Sequence, residues 1–410
     1  MEKQQKKQNQ IKKEPLLRLV KRDVLSANKI ILIYAIAIVA SLVLSAIICS
    51  LFSSKNPITF FVSLFNGAFG SSRRIWLLLQ DTALLLGVAV ALVPAFKMKF
   101  WNLGGNGQIL IGCLAAISCM FYLGGKLPDP LLILVMTVAS VVAGAVWGVL
   151  PAIFKAYFGT NESLFTLMLN YIATGLVSMF ITIWVKSGSG VLAPLNSGNF
   201  PDMFGSKYLL TVLVFFVLAV LMYIYLKYTK HGYEIAVVGD SPNTAKYIGI
   251  DVKRVIIRTM IISGALAGLV GLFLAGGINH TISTDSANNM GFTAIMATWL
   301  AAFNPLVMIG TCFFIIFISK GMVAVRGDFG FTNDSVSNIV IGLVYFCVIA
   351  CSFFITYRMV FRKTNAKTSE IDETKGEKEI RHHFSCRHSQ LPPSFCTDAL
   401  VRSLPKRPDT

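Results

Sequence analysis

Residues 30–52 read IILIYAIAIVASLVLSAIICSLF, an apolar run without a single charged side chain. As a helix it is long enough to cross a bilayer hydrocarbon core of about 30 Å. Working outward, comparable runs recur near 75–96, 109–123, 131–154, 164–185, 208–228, 255–278, 294–318 and 336–355. Of the 410 residues, 55% are hydrophobic and only 14% charged, and the mean hydropathy is +0.66. These values lie outside the range of soluble globular domains. The expected fold is therefore an all-α polytopic membrane protein.

Charge orients the spans, because Lys and Arg in short flanking segments stay cytoplasmic. Residues 1–29 carry Lys3, Lys6, Lys7, Lys12, Lys13 and four further basic residues against three acids, and Arg358, Arg362, Lys363 and Lys367 crowd the exit of the last run. Both termini are thus predicted to be cytoplasmic, which requires an even number of crossings, and nine runs have the wrong parity. The eighth divides most readily at Asn304-Pro305, where proline removes a helix donor and restricts its predecessor. Segments 291–303 and 305–318 then bring the total to about ten, some of them short or broken. A kinked single span with one re-entrant segment elsewhere is the competing count.

The predicted organisation is a basic cytoplasmic segment 1–29, a membrane domain 30–360 with a cytoplasmic loop at 229–254, and a disordered cytoplasmic tail 361–410. Leu16, Leu17, Val20 and Val24 recur at helical spacing among Arg18, Lys21 and Arg22, which predicts an interfacial helix on anionic lipid. The long charged leader and full-length first span do not fit a cleavable signal peptide. The net charge of +17 resides in tails and cytoplasmic loops without an aromatic-interleaved basic patch, so no nucleic acid partner is expected. Cys49, Cys113, Cys119, Cys312, Cys347 and Cys351 lie in or beside apolar runs and read as small core residues. Residues 381–410 turn to arginine, proline, histidine and cysteine. His382, His383, Cys386, His388 and Cys396 form no closed metal set of standard spacing, so neither metal nor cofactor is expected.

Three stretches carry specific information. FWNLGGNGQILIG, residues 100–112, opens the third span with Asn102, Asn106 and Gln108 among glycines. Side-chain amides there can satisfy the backbone that the glycines loosen, at the edge of a translocation path or simply in helix packing. GTNESLFTLMLNYIATG, residues 159–175, places Glu162, Thr166 and Asn170 on one helical stripe, with Asn170 about 12 Å deeper than Glu162. In KHGYEIAVVGDSPNTAKYIGIDVKR, residues 230–254, Ser241 is an N-cap, Pro242 suits the first helical position and Gly249 suits a left-handed stop. A short cytoplasmic helix is bracketed there, either as a docking knob or as a solvated connector. Asp81, an acid within the second span, suggests function by default, including proton coupling. Polar loops 186–207 and 279–289 lie on the external side.

These stretches together resemble one family. Asn102-Leu103-Gly104-Gly105-Asn106-Gly107-Gln108 is similar to its Asn-Ile-Gly-x-Glu-Gly-Gln. Asn161-Glu162 followed by Thr166-Leu167-Met168-Leu169-Asn170-Tyr171-Ile172 is similar to its fifth-span motif. Gly232-Tyr233-Glu234 through Gly239, Pro242, Ala245, Tyr247 and Gly249 resembles its cytoplasmic loop, and Ser263-Gly264-Ala265-Leu266-Ala267-Gly268 the span that follows. This is the ABC-importer permease family that includes branched-chain amino acid, ribose and nucleoside transporters, and the nucleoside branch is nearest.

The resemblance, over residues 30–360, implies a bacterial cytoplasmic-membrane permease. Its implied partners are a second permease subunit in a heterodimer, cytoplasmic ATP-binding subunits and an external substrate-binding lipoprotein. It implies a coupling helix formed around Gly239, Ser241, Pro242, Ala245, Lys246, Tyr247 and Gly249. Substrate-path candidates are Asn102, Gln108, Thr166, Asn170 and Asp81. The chain has no phosphate-binding G-x-x-x-x-G-K-[ST] loop, so ATP hydrolysis is expected on another chain. Asn106 replaces the family's glutamate, and that acid's role is not carried over. The tail at 381–410 is atypical for the family, as a reading-frame change near the gene end would make it. Simple sugars are the runner-up substrate, and a proton-coupled carrier using Asp81 is the alternative from another class.

Overall fold

The structure, a computed structural model, describes residues 17–21, 26–53, 55–185, 191–331 and 335–361. Two compact units are present: residues 27–352, and the flanking segments 1–26 with 353–410. In the flanking unit, β1 (Leu17–Lys21) pairs antiparallel with β2 (Tyr357–Phe361), Leu17 opposite Phe361 and Lys21 opposite Tyr357. This corrects the expected interfacial helix over Leu17–Lys21. Five residues of Leu-Arg-Leu-Val-Lys fit a two-residue period as well as a helical one, and a partner strand supplies the backbone hydrogen bonds. Leu16 and Val24, like the tail at 381–410, lie outside the described residues.

The membrane unit is all helical. Its elements are α1 (Ala27–Ser53), α2 (Pro57–Phe69), α3 (Ser72–Lys97), α4 (Gly105–Leu123), α5 (Asp129–Phe158), α6 (Glu162–Trp184) and α7 (Leu209–Tyr228). There follow α8 (Lys230–Asp240), α9 (Pro242–Tyr247), α10 (Val252–Leu274), α11 (Met290–Leu300), α12 (Pro305–Phe329) and α13 (Ser335–Thr356). Among the described residues eight helices are long and apolar enough to cross a membrane, with shorter apolar helices at Pro57–Phe69, Met290–Leu300 and Asn338–Cys351. Helix α2 was not expected from the sequence, and α12 continues well past residue 318.

The chain does break at Asn304-Pro305. Ala302 and Phe303 take left-handed backbone conformations, the Asn304 side chain accepts the Leu306 N–H, and Pro305 occupies the first turn of α12. Proline costs nothing at that position because the first helical N–H groups lack partners anyway.

Helix α3 sits at the centre, buried continuously from Thr82 to Phe96, as an all-round apolar helix must be. Helix α5 presents Leu132, Met136, Ser140, Gly144 and Gly148 inward at four-residue spacing, while Leu134, Val138, Val142 and Val146 face outward. Its inward stripe meets Gly264 and Gly268 of α10, where backbones touch: a Cβ on Gly268 would lie 2.2 Å from the Ser140 carbonyl oxygen. A second, smaller core joins α1, α2, α12 and α13 through Cys49, Phe60, Leu64, Met322, Phe329 and Val344.

Candidate functional site

Between α3 and α4 the chain turns back through residues 98–104 without helix, and its polar groups set the local chemistry. Asn102 is fully buried. Its Oδ1 accepts from the Gly104 N–H at 3.0 Å and from Gln108 Nε2 at 3.4 Å, and its Nδ2 donates to Gln108 Oε1 at 3.3 Å and Ser263 Oγ at 3.4 Å. Thr166 Oγ1 accepts from the Leu103 N–H at 3.1 Å. Asn170 bridges the turn: its Oδ1 accepts from Gly107 N–H and its Nδ2 donates to the Leu103 carbonyl, both at 2.8 Å. Four of the residues singled out from sequence, Asn102, Gln108, Thr166 and Asn170, thus meet in one cluster. Their groups are nonetheless spent on the protein's own backbone and on each other, as a broken helix inside a bundle demands.

Asn170→Leu is therefore expected to destabilise strongly. Two buried backbone groups lose their partner, at about 1–3 kcal/mol each, whereas Thr182→Val at an exposed position of the same helix is expected to stay within about 0.5 kcal/mol. Thermal denaturation of the two purified variants in detergent checks this.

Asn106 reaches the other way. Its Oδ1 accepts the Gly291 N–H at 2.7 Å and its Nδ2 lies 3.5 Å from Asn289 Oδ1, so it fastens α11 to the start of α4. A neutral amide suffices to hold that backbone donor.

The segment joining α10 to α11 differs from the external loop expected at 279–289. Helix α10 ends in a π-helical turn, Ala275–Asn279, after which the chain runs back along the bundle to the α4 start. Ile282 and Ala287 are buried. Thr281 Oγ1 donates to the Leu192 carbonyl, and Ser286 Oγ accepts from the Ser283 N–H. Asn288 and Asn289 adopt positive φ. On one side lies a cavity of about 450 Å3 lined by Asp81, Asn279, Ser283, Asp285, Asn288 and Met290, among others. On the other lies one of about 340 Å3 whose lining includes Asn106, Asn170, Tyr171, Asp285, Asn288 and Phe292. Asp285 and Asn288 line both. Burial first, and Lys207 second, hold the nearby His280 imidazole below its ordinary pKa, so it adds no cation near neutral pH.

Asp81 forms an ion pair with Lys320 of α12. Lys320 was missed from sequence, and the 284–289 segment was seen only as part of a polar loop. The lysine sits in an otherwise apolar run, a signal in itself, whereas nothing in the sequence distinguishes a tucked polar segment from a wet loop.

The loop between α7 and α10 folds as two helices. Ser241 caps α9, accepting the Thr244 N–H, with Pro242 at its first turn. Ala245 is buried, Tyr247 is 91% exposed, and Ile248 and Tyr233 are also exposed. Gly249 ends the helix at φ +83°. Gly239 packs so closely on the α3 terminus that a Cβ would lie 2.2 Å from the Lys97 carbonyl oxygen. Arg258 of α10 holds Glu234 of α8 at 2.7 Å. The predicted loop residues thus share one buttressed knob, with Lys246 and Tyr247 on the last turn of α9.

Compared with known proteins, residues 74–349 match the family described as the permease component of a branched-chain amino acid transport system. The chain is 32% identical to the nucleoside ABC transporter permease NupB of Lactococcus lactis, over 85% of this chain and 98% of that protein. It is 29% identical to the guanosine ABC transporter permease NupP of Bacillus subtilis, over 66% of this chain and 79% of that one. A glucose ABC transporter permease, TsgB13 of Haloferax volcanii, is 28% identical over 67% and 75% respectively. No solved structure matches the chain significantly.

Proposed function

The chain belongs to the branched-chain amino acid transport system permease family, and from that premise we propose that it forms the path for nucleosides in an ABC importer. It is an integral plasma-membrane permease, a transport subunit related to nucleoside and sugar transporters and not an enzyme. The observation that carries the nucleoside reading is the similarity to NupB along nearly the whole of both chains. Simple sugars are the second reading, favoured by the similarity to TsgB13.

Ten crossings with cytoplasmic termini fit the arrangement of α11 and α12. Phe303 stacks on Phe96 beside Lys97, at 6.5 Å between ring centroids, and Trp299 stacks on Trp101 at 5.4 Å. The Asn304-Pro305 turn therefore lies at the inner end of α3. From there α12 leads to Asp328, whose carbonyl accepts from Lys55 just beyond α1. The inward-running segment 281–289 plus α11 completes the eighth crossing, α12 the ninth and α13 the tenth.

The knob at α8 and α9 is the docking point for a cytoplasmic ATP-binding subunit, with Tyr247 as its exposed anchor and Gly239, Ser241, Pro242, Ala245, Lys246 and Gly249 shaping it. A second permease subunit and an external substrate-binding lipoprotein complete the assembly. The domain division follows: basic segment 1–29, permease 30–360 and tail 361–410.

Labelled guanosine, uridine and glucose uptake into proteoliposomes holding the full assembly tests this reading. ATP-dependent uptake of the nucleosides is expected; uptake of glucose alone would sink it. Asp81→Asn separates the carrier alternative. Because Asp81 is paired with Lys320, the single change leaves that lysine uncompensated, so it is made together with Lys320→Met, and the double variant is expected to lower uptake by no more than about threefold, about 0.65 kcal/mol, with no response to a proton gradient.

A further inference from the structure

Asn102, Gln108, Thr166 and Asn170 are engaged by the protein's own backbone and by one another, and Asp81 by Lys320, so side chains with free polar atoms are sought beside them. The smaller cavity supplies them. At about 340 Å3, it falls within the ~300–1,000 Å3 of small-ligand sites. Thr284, Asp285 and Asn288 line it, and their side-chain polar atoms make no hydrogen bond or ion pair among the described residues. Tyr171 of α6 and Phe292 of α11 add aromatic walls. Among the described residues Asp285 is the one charged group that lines it, and no cation does.

We propose that this cavity is a transit site for an uncharged, planar, hydroxylated solute of the nucleoside class, contacted by Thr284, Asp285 and Asn288. This rests on the nucleoside reading above and extends it to particular residues. The Asp285 carboxylate accepts from two sugar hydroxyls, and the Asn288 amide both donates to and accepts from the edge of a base. The rings offer apolar faces to its plane, and a phosphate-bearing solute meets a like charge without a compensating cation. Because Asp285 and Asn288 also line the larger cavity under Asp81, a solute passes from one cavity to the other without leaving these two side chains. The left-handed backbone at Asn288, φ 41°, is one that asparagine tolerates far better than most residues. That makes glycine the substitution that removes the amide with least disturbance of the turn.

The test measures solute moved per ATP hydrolysed, in proteoliposomes with the full assembly and saturating binding protein, using labelled guanosine and uridine. Asn288→Gly is expected to lower that ratio at least fivefold and Thr284→Val about threefold, because cycles run on while the solute is handed over poorly. A merely structural role would lower transport and hydrolysis together and leave the ratio unchanged. Thr284→Val keeps the residue's shape, so it still decides the matter if Asn288→Gly fails to fold. Wild-type ratios in the variants overturn the site while leaving the nucleoside reading intact. A wild-type assembly that carries glucose but neither nucleoside overturns the reading and this inference with it.

Discussion

Gly268→Val is expected to abolish folded protein in the membrane, and Gly268→Ala to lower stability by more than about 3 kcal/mol, at the top of the range for overpacking. The reason is what a side chain would meet. A Cβ at Gly268 would lie 2.2 Å from the Ser140 carbonyl oxygen and 3.1 Å from the Gly144 Cα, and one at Gly264 would lie 2.3 Å from the Gly144 carbonyl oxygen. These neighbours are backbone and cannot rotate aside. Helix association in lipid draws on close packing between backbones because lipid tails are as apolar as the side chains, so separating α5 from α10 removes its main support. Among the described residues nothing lies within 4 Å of a Cβ built on Gly175 or Gly310, and alanine there is expected to be neutral or stabilising by up to about 1 kcal/mol. Fluorescence-detected size-exclusion of the four variants, followed by thermal ramps of those that survive, checks the contrast.

How much of this was legible in the sequence depends on whether the deciding partner was local. The break at Asn304-Pro305 was readable because a proline's missing donor and its restriction of the preceding residue act within one turn. The α9 helix was readable for the same reason, with Ser241, Pro242 and Gly249 all local signals. Asn102, Thr166 and Asn170 were recognisable as amides and hydroxyls that had to be satisfied. That Asn170 serves Gly107 and Leu103 depends on α4 and α6 meeting, which no local pattern encodes. The segment 279–289 was legible only as polar, because hydroxyls and amides suit open water and a wet cavity equally. The β1 strand was missed because its partner lies at the other end of the chain, and α2 because its apolar run is too short to stand out as a span.

The other large effect is expected at the cytoplasmic knob. Gly249→Pro forbids the φ of +83° seen at this position, since the proline ring holds φ at about −65°. The Gly249 N–H, which donates to the Lys246 carbonyl at the end of α9, is lost as well. The last turn must then reorganise, carrying Tyr247 with it. Tyr247→Ala is the gentler probe: at 91% exposure the ring gives the isolated chain almost nothing, so a large loss can arise only from what it touches in an assembly. Buried aromatic anchors at interfaces commonly account for about 2 kcal/mol or more, which corresponds to a loss of about thirtyfold in affinity for the ATP-binding subunit. The expected result is normal membrane levels of both variants, uptake reduced at least tenfold, and loss of co-purification with the ATP-binding subunit. If both variants retain that subunit and full uptake, the helix is a connector and force reaches the spans elsewhere. The distinction matters because Gly239 lies against the Lys97 carbonyl at the inner end of α3 and Glu234 is held by Arg258 of α10. On the proposed coupling role, a push on Tyr247 would reach the central span through Gly239 and, through Glu234, the helix whose π-helical end leads into the cavity-lining segment, which is the mechanical connection an ATP-driven path requires.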